Sequence, residues 1–334
     1  MPSSTQVQLV RRPEGWPTEE DFRTVRVELG DLSPGQVRVR NEFLSVDPYM
    51  RGRMNDGPSY APPYALGETM TGAAVGRVEE SSSDDLPVGA LVLHALGWRD
   101  VAQGDAAAFR RVGEIPGAPS SLHLGLFGMT GLTAYAGLTA VAGLREGERV
   151  FVSGAAGAVG TAAGQIARLL GAETVIGSAG SAEKVALLTS RYGYDVALNY
   201  KEAPIREQLR EAAPDGIDVF FDNVGGDHLE AALDVLNPNG RAAICGSISA
   251  YNDSAPAPGP DNLSRIVTRT LTLRGFLVGQ HSDLAEEYRE AVTGWFADGK
   301  VAYDETVVDG VENAVTAFLS MLRGGNTGKM VVRV

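Results

Sequence analysis

The chain has 334 residues, enough for two domains that each bury a core. Hydrophobic residues make up 44% and charged residues 21%, an ordinary globular balance, and the net charge of −13 argues against nucleic acid or an anionic membrane surface as partner. No run reaches the roughly 18 apolar residues of a membrane span, and MPSSTQVQLVRRPEG lacks the apolar core of a signal peptide, so the chain reads as cytoplasmic.

The single cysteine, Cys245, excludes an intrachain disulfide and a Cys-rich zinc site. The histidines (His94, His123, His228 and His281) are scattered with no close-spaced ligand pair, so a metal-dependent dehydrogenase is not expected.

Residues 1–122 are β-rich and carry many Gly and Pro. Val7–Val10, Thr24–Leu29, Val37–Val46, Gly72–Glu79, Ala90–His94 and Phe109–Val112 read as strands. Their irregular spacing with turn signals predicts a small antiparallel barrel. Between them lie two irregular stretches, Asp47-Pro-Tyr-Met-Arg-Gly-Arg-Met54 and Pro62-Pro-Tyr-Ala-Leu-Gly-Glu-Thr-Met70. Aromatic and Met side chains on such loops can line an apolar pocket; equally, Tyr49 and Met50 can simply cover the core. Residues 123–145 are small and apolar with helical spacing after Thr130, as suits a segment between domains. The turn Gly128-Met129-Thr130-Gly131 would open that helix.

Val150–Ser153 is a short β-rich run, followed by Gly154, Gly157 and Gly160 at spacing three. A small-residue helix then leads to a second β run, Thr174–Ile176. Strand, glycine turn, helix and strand form the front half of a dinucleotide-binding unit, although the spacing is GxxGxxG and not GxGxxG. A pyrophosphate needs open backbone N–H groups at a helix N-terminus. Gly157 permits the close approach and Gly160 lets the helix pack on the strand. An NAD site places an acid at the end of the second strand, about 20 residues on, to hold the ribose 2′-OH. Here that position is Gly177-Ser178, Glu173 lies at the strand's other end, and Glu183 in the next helix is followed by Lys184. A missing carboxylate beside a cation suits a 2′-phosphate and predicts NADPH over NADH; the alternative is that Lys184 is a solvated helix lysine.

Further β runs recur at Val196–Asn199, Ile217–Asp222, Arg241–Gly246 and Leu271–Phe276, separated by helical runs. Six nearly all-apolar strands alternating with helices predict a doubly wound parallel sheet covered on both faces. Ligands in such a sheet bind beyond the C-terminal strand ends, which selects Asn199-Tyr-Lys201, Asp222-Asn-Val-Gly-Gly226, Cys245-Gly-Ser-Ile-Ser-Ala-Tyr-Asn252 and Phe276-Leu-Val278. Gly225-Gly226 either lets the backbone approach a flat ligand or is a turn before a helix. Cys245 reads as a small buried hydrophobe. Pro256-Ala-Pro-Gly-Pro260 reads as a stiff surface loop, Asp283–Asp298 as a long helix, and Val311–Leu322 as another. The last run, Lys329–Val334, would complete the first domain, so the expected domains are 1–122 completed by 300–334, and 123–299.

These residues carry a resemblance. Val46-Asp-Pro-Tyr-Met-Arg51, Gly128-Met-Thr-Gly-Leu-Thr-Ala-Tyr135, Ala155-Ala-Gly-Ala-Val-Gly160, Phe221-Asp-Asn-Val-Gly-Gly226, Ile244–Asn252 and Asn326-Thr-Gly-Lys329 resemble, in this order, the zinc-free medium-chain dehydrogenase/reductases. Within them the chain is similar to the prostaglandin reductase and leukotriene B4 dehydrogenase group. The resemblance implies a GroES-like antiparallel β-barrel domain plus a Rossmann domain, an active site between them, a homodimer, and NADPH-dependent reduction of the C=C bond in α,β-unsaturated ketones and aldehydes. It implies phosphates at Ala156, Gly157, Ala158 and Val159 and a 2′-phosphate at Lys184 and Tyr200, and Met129, Thr130, Gly154, Gly160, Gly177 and Ser178 are further expected cofactor-binding residues. The nicotinamide side falls near Asn223, Cys245, Gly246, Ser247, Phe276, Leu277, Val278 and Asn326, with Gly328 a further expected cofactor-binding residue. Tyr49 and Tyr251 match tyrosines of the substrate pocket. Gly154 departs from the group's usual Ala, and the Pro62–Met70 loop is where members differ.

The expected chemistry is hydride transfer to the β-carbon of an enone, with charge developing on the carbonyl oxygen. Tyr251 can donate to that oxygen while neutral, since a tyrosine's ordinary pKa is about 10. A zinc-independent NADPH:quinone reductase is the alternative on the same fold.

Overall fold

The structure, a computed structural model, describes residues 1–57, 59–255 and 258–334. Pro256 and Ala257 of the expected proline-rich loop lie outside the described residues. The chain divides into two compact units, Met1–Gly125 with Glu305–Val334, and Leu126–Asp304.

The first unit begins with β1 (Ser3–Leu9), β2 (Phe22–Glu28), β3 (Gln36–Ser45), β4 (Ala74–Ser81), β5 (Leu91–His94), β6 (Val101–Asp105) and β7 (Phe109–Arg111), with the short helix α1 (Tyr49–Arg53) after β3. The second unit carries β8 (Arg149–Val152), β9 (Thr174–Ala179), β10 (Val196–Asn199), β11 (Ile217–Asp222), β12 (Leu236–Ile244) and β13 (Thr272–Gly275). Its helices are α2 (Met129–Ala136), α3 (Ala158–Leu169), α4 (Ala182–Arg191), α5 (Ile205–Ala212), α6 (Gly226–Val235), α7 (Ser264–Thr268) and α8 (Ala285–Ala297). The chain returns to the first unit with β14 (Glu305–Asp309), α9 (Ala314–Leu322) and β15 (Lys329–Arg333).

In the first unit β1 and β2 pair antiparallel, and β14-β15-β3-β4-β5-β7 form one sheet, antiparallel except for the β14–β15 pair. β3 is its hub. Register shifts against β4 after Arg38 and after Asn41 bend the strand. Its first half thereby pairs with both β4 and β6, and its last residues take β15, with Val331 opposite Ser45. β6 is missing from the expected strands because Gln103, Gly104 and Asp105 break the apolar alternation; its pairing with β3 is tertiary. Trp98, Phe318, Met50, Met54 and Met70 are fully buried together, and Trp98 Nε1 donates to the Ser45 carbonyl at 3.0 Å. Of the two readings of the 47–54 stretch, Met50 takes the core one, while Tyr49 stays half-buried.

His94, buried at the end of β5, accepts from the Leu96 N–H through Nδ1 at 3.1 Å and donates from Nε2 to Asn41 Oδ1 at 2.7 Å. Asn41 Nδ2 donates to the Arg99 carbonyl at 2.8 Å, which fixes the orientation of that amide and hence the tautomer. Burial, with Arg99 nearby, lowers the His94 pKa from 6.5 to about 3. The folded-state value is depressed, so this contribution is fully present above 6.5 and declines as pH falls from there toward about 3. The slope is up to about 1.4 kcal/mol per pH unit. Urea midpoints measured at neutral pH and at about pH 5 should therefore differ less in a His94→Gln variant than in the wild type.

In the second unit the sheet order is β10-β9-β8-β11-β12-β13, all parallel. Alternate residues serve opposite faces. Val150, Val152, Val175, Val219 and Phe221 pack with residues of α2, α3 and α8, whereas Phe151, Ile176, Phe220 and Ala242 pack with α5 and α6. Both faces being covered explains the near-continuous apolar strands. Two strand limits in this sheet differ from expectation by three residues or more, while the others shift by two at most. β9 runs three residues past Ile176, because Gly177 and Ser178 pair with Ala197 and Leu198 of β10. β12 starts at Leu236, before a register break in which Asn239 takes φ +63. Its Pro-Asn-Gly turn signal sits inside the strand.

Candidate nucleotide and catalytic site

The order reverses between β8 and β11, and the loops after these central strands mark the switch point of a doubly wound sheet. β8 runs into the turn 153–157 and then α3. Gly154 sits at φ +59, a left-handed conformation that suits Gly over the Ala of the resembling group. A Cβ on Gly160 would strike the Gly154 carbonyl and the Ala155 backbone, so the first turn of α3 lies tight on the glycine loop. Gly157 is roomy on this measure, its nearest neighbour the Gly154 oxygen at 3.4 Å. The first main-chain bond into α3 is Thr161 N–H to the Gly157 carbonyl at 2.9 Å. The N–H groups of Ala158, Val159 and Gly160 therefore precede the helical ladder and can serve an anion, aided by the helix dipole. The Ala155 N–H donates to the Ser178 carbonyl at 2.8 Å and ties this turn to β9.

Gly177 is not at a strand end as expected. It is buried within β9, where a Cβ would lie 2.6 Å from the Tyr194 ring. Tyr194 also fills the space beside Gly164 and donates to the Gly160 carbonyl at 2.7 Å, bracing the helix start from behind. Ser178 is fully buried with Oγ lacking a partner. The strand ends at Ala179, and the next residues, Gly180 and Ser181, carry no acid. Gly180 packs on Tyr200: a Cβ there would lie 2.6 Å from its hydroxyl and 3.2 Å from Lys201 Cε. Burial lowers the Lys184 pKa, and the neighbouring Lys201 adds to that. Two ammonium groups beside a phenol and an acid-free strand end fit a 2′-phosphate. Lys201, picked out by the strand-end rule in Asn199-Tyr-Lys201, was not assigned to the 2′-phosphate; its signal is its place directly after Tyr200 at the end of β10.

After β11, Asn223 donates through Nδ2 to the Ser153 carbonyl at 2.8 Å. After β12 come Cys245, Gly246 and Ser247. Burial, and the nearby Asp222, push the Cys245 thiol up to about 12, so it stays protonated. The ideal Cβ position of Gly246 lies 3.2 Å from the Tyr251 hydroxyl. Burial raises the Tyr251 pKa, with a Ser247 backbone hydrogen bond opposing, and the phenol is a neutral donor at neutral pH. Gly225 and Gly226 both have positive φ and open α6, so they serve a turn whatever else they do. Phe276 after β13 is buried against Phe221, with Leu277 exposed and Val278 half-buried. Met129 is exposed at the start of α2, and the buried Thr130 hydroxyl has no partner.

Tyr49, Asn326 and Gly328 lie in the first unit. Burial raises the Tyr49 pKa, and Asp47 adds to the effect. Asn326 Nδ2 donates to the Gly328 carbonyl at 2.8 Å, closing the turn before β15. Lys329 Nζ reaches the chain just past the end of β3, donating to the Val46 carbonyl at 2.8 Å and to Asp47 Oδ1 at 3.1 Å. Among the described residues, no group of three or more His, Cys, Asp or Glu is placed to hold a metal ion.

A glycine-turned helix start at the switch point, an acid-free strand end with two lysines, and a neutral phenol define a dinucleotide-dependent oxidoreductase. A family model described as the N-terminal domain of oxidoreductase matches residues 5–112, and one described as zinc-binding dehydrogenase matches residues 158–296. The chain is 40% identical to an NADPH-dependent curcumin reductase of Escherichia coli (strain K12), over 98% of this chain and 95% of that protein. It is 43% identical to prostaglandin reductase 1 of Bos taurus, over 96% and 95%. The solved structure of CurA in complex with NADPH from Vibrio vulnificus superposes with a TM-score of 0.93 at 39% identity, covering 99% of each chain. The chain belongs to the medium-chain dehydrogenase/reductase family, in the group that holds the prostaglandin reductases.

Proposed function

We propose that this protein is an NADPH-dependent reductase that saturates the C=C bond of small α,β-unsaturated ketones and aldehydes. Relatives at 40% and 43% identity are named a curcumin reductase and a prostaglandin reductase, and curcumin is itself a conjugated enone. Lys184, Tyr200 and Lys201 would hold the 2′-phosphate, and the α3 N-terminus the pyrophosphate. Asn223, the Cys245–Ser247 segment and the Phe276–Val278 segment would face the nicotinamide.

The observation that carries the chemistry is the Tyr251 phenol, half-buried and kept neutral by burial. Bound NADPH supplies the hydride. As the substrate's β-carbon is reduced, negative charge collects on its carbonyl oxygen, and a preorganised O–H donor aimed there lowers the barrier. Tyr251 fills that role, and the α-carbon takes its proton from water. An NADPH-consumption screen over enones, enals and simple quinones tests the reading. Highest turnover on an enone or enal is expected; consumption with quinones alone would overturn it.

Lys184→Ala should raise the KM for NADPH roughly ten- to hundredfold, the scale of a lost charge-assisted hydrogen bond, and leave the KM for NADH within about twofold. Steady-state kinetics with both cofactors measure this. An undiminished preference for NADPH would mean that Lys201 and Tyr200 suffice.

Two further readings go with this one. No helix among the described residues is long and apolar enough to cross a membrane, and the cytoplasm is the proposed location. A homodimer is proposed through β13, the edge of the parallel sheet, whose Thr272, Arg274 and Gly275 are exposed, with Val267 of the preceding α7 82% exposed. An exposed edge strand is a ready template for pairing with a second copy. Sedimentation should give about twice the chain mass of 35.2 kDa, and a Val267→Glu variant should shift it toward the single-chain value.

A further inference from the structure

We infer that Asp222 is a positioning residue of this site, a buried carboxylate that sets the loops after β8, β11 and β12 in register; the inference rests on the NADPH reading above. Asp222 ends β11 and is fully buried. Its Oδ1 accepts three hydrogen bonds, from Ser153 Oγ at 2.8 Å, the Val224 N–H at 3.0 Å and the Gly225 N–H at 2.9 Å. Its main-chain carbonyl accepts two more, from the N–H groups of Cys245 at 2.8 Å and Gly246 at 3.1 Å. Ser153 passes the constraint on, because its Oγ accepts the Asn223 N–H at 2.8 Å. Ile248 and Ser249 then donate to the carbonyls of Asn223 and Val224 at 3.3 and 3.2 Å, in the loop that carries Tyr251.

One residue thus fastens three loops, and those loops hold Asn223, Cys245, Gly246, Ser247 and Tyr251. The choice of a carboxylate fits this work. Oδ2 is buried without a partner, a state that costs stability in a residue kept for packing alone. Burial raises the carboxyl's pKa while the three donors at Oδ1 favour its ionised form, and a charged acceptor binds each donor roughly twice as strongly as a neutral one. Asp222 need not touch the ligand; it acts through Ser153 and Asn223 on one side and through Cys245 and Gly246 on the other.

The test uses the full chain and two ligands, NADP⁺ and 2′,5′-ADP, which lacks the nicotinamide half. Calorimetric titration of Ser153→Ala should show NADP⁺ bound roughly tenfold more weakly, and kcat on an enone lowered by a similar factor, as one buried N–H loses its acceptor. The 2′,5′-ADP constant should stay within about twofold of wild type. Asp222→Asn should fall in the same direction, and Asp222→Ala further. If Asp222→Ala fails to fold, Ser153→Ala still decides. Equal weakening of both ligands means a merely structural role and overturns the inference, as does unchanged NADP⁺ affinity and kcat in Ser153→Ala. A wild type that binds neither ligand gives a different result and overturns the NADPH reading itself.

Discussion

Tyr251→Phe should lower kcat on an enone by about a hundredfold, the effect of removing one preorganised donor from a developing oxyanion. The expectation follows from burial. Desolvation raises the phenol's pKa, so the hydroxyl is protonated throughout the neutral range and can donate without first taking up a proton. Phe keeps the ring, so thermal stability should hold and the KM for substrate should move far less than kcat. Turnover equal to wild type would show that another donor serves the oxygen. Single-turnover kinetics, with the melting temperature as control, separates lost donation from a disturbed loop.

Lys329→Met should be the most destabilising of the substitutions considered, at about 3–5 kcal/mol. Lys329 and Asp47 form an ion pair at 3.1 Å with both side chains only 4% exposed. The ammonium is fully engaged, its third bond going to the Met330 carbonyl at 3.0 Å. Removing it leaves the Asp47 carboxylate buried with Ser45 Oγ as its remaining side-chain partner. Breaking a buried pair from one side costs far more than replacing both members, because the stranded charge keeps its desolvation penalty. Adding Asp47→Asn to Lys329→Met should therefore recover much of the loss in a urea-unfolding cycle.

The parallel sheet was legible because its strands are runs of Val, Ile, Leu and Phe separated by amphipathic helices, and those periodicities are local. So was the glycine turn from β8 into α3, whose Gly154, Gly157 and Gly160 spacing is a one-turn property. Strand limits were less so. Gly177 and Ser178 look like a loop until β10 pairs with them, and β6 has no alternation of its own. The hydrogen-bond hub at Asp222 was out of reach: the motif around it is visible, but Ser153 lies 69 residues away in sequence. The same holds for Tyr194, which reaches Gly160 across 34 residues, and for Lys329 and Asp47, 282 apart. Local pattern encodes which face a side chain takes, not which distant partner waits there.

That β15 closes a sheet begun near the N-terminus bears on how the chain is made. β3 leaves the ribosome early, yet β15, the strand that covers its far end, and the ammonium Asp47 requires follow about 280 residues later, after the whole second unit. At bacterial or eukaryotic elongation speeds of roughly 5–20 residues per second, that interval is on the order of fifteen to fifty-five seconds. The nascent first unit spends it with a bare strand edge and an unneutralised acid, while the nucleotide-binding unit can already finish. Synthesis therefore ends with the first-begun unit completed last, and a chain stalled or clipped shortly before residue 329 keeps an intact cofactor fold beside an open, aggregation-prone sheet.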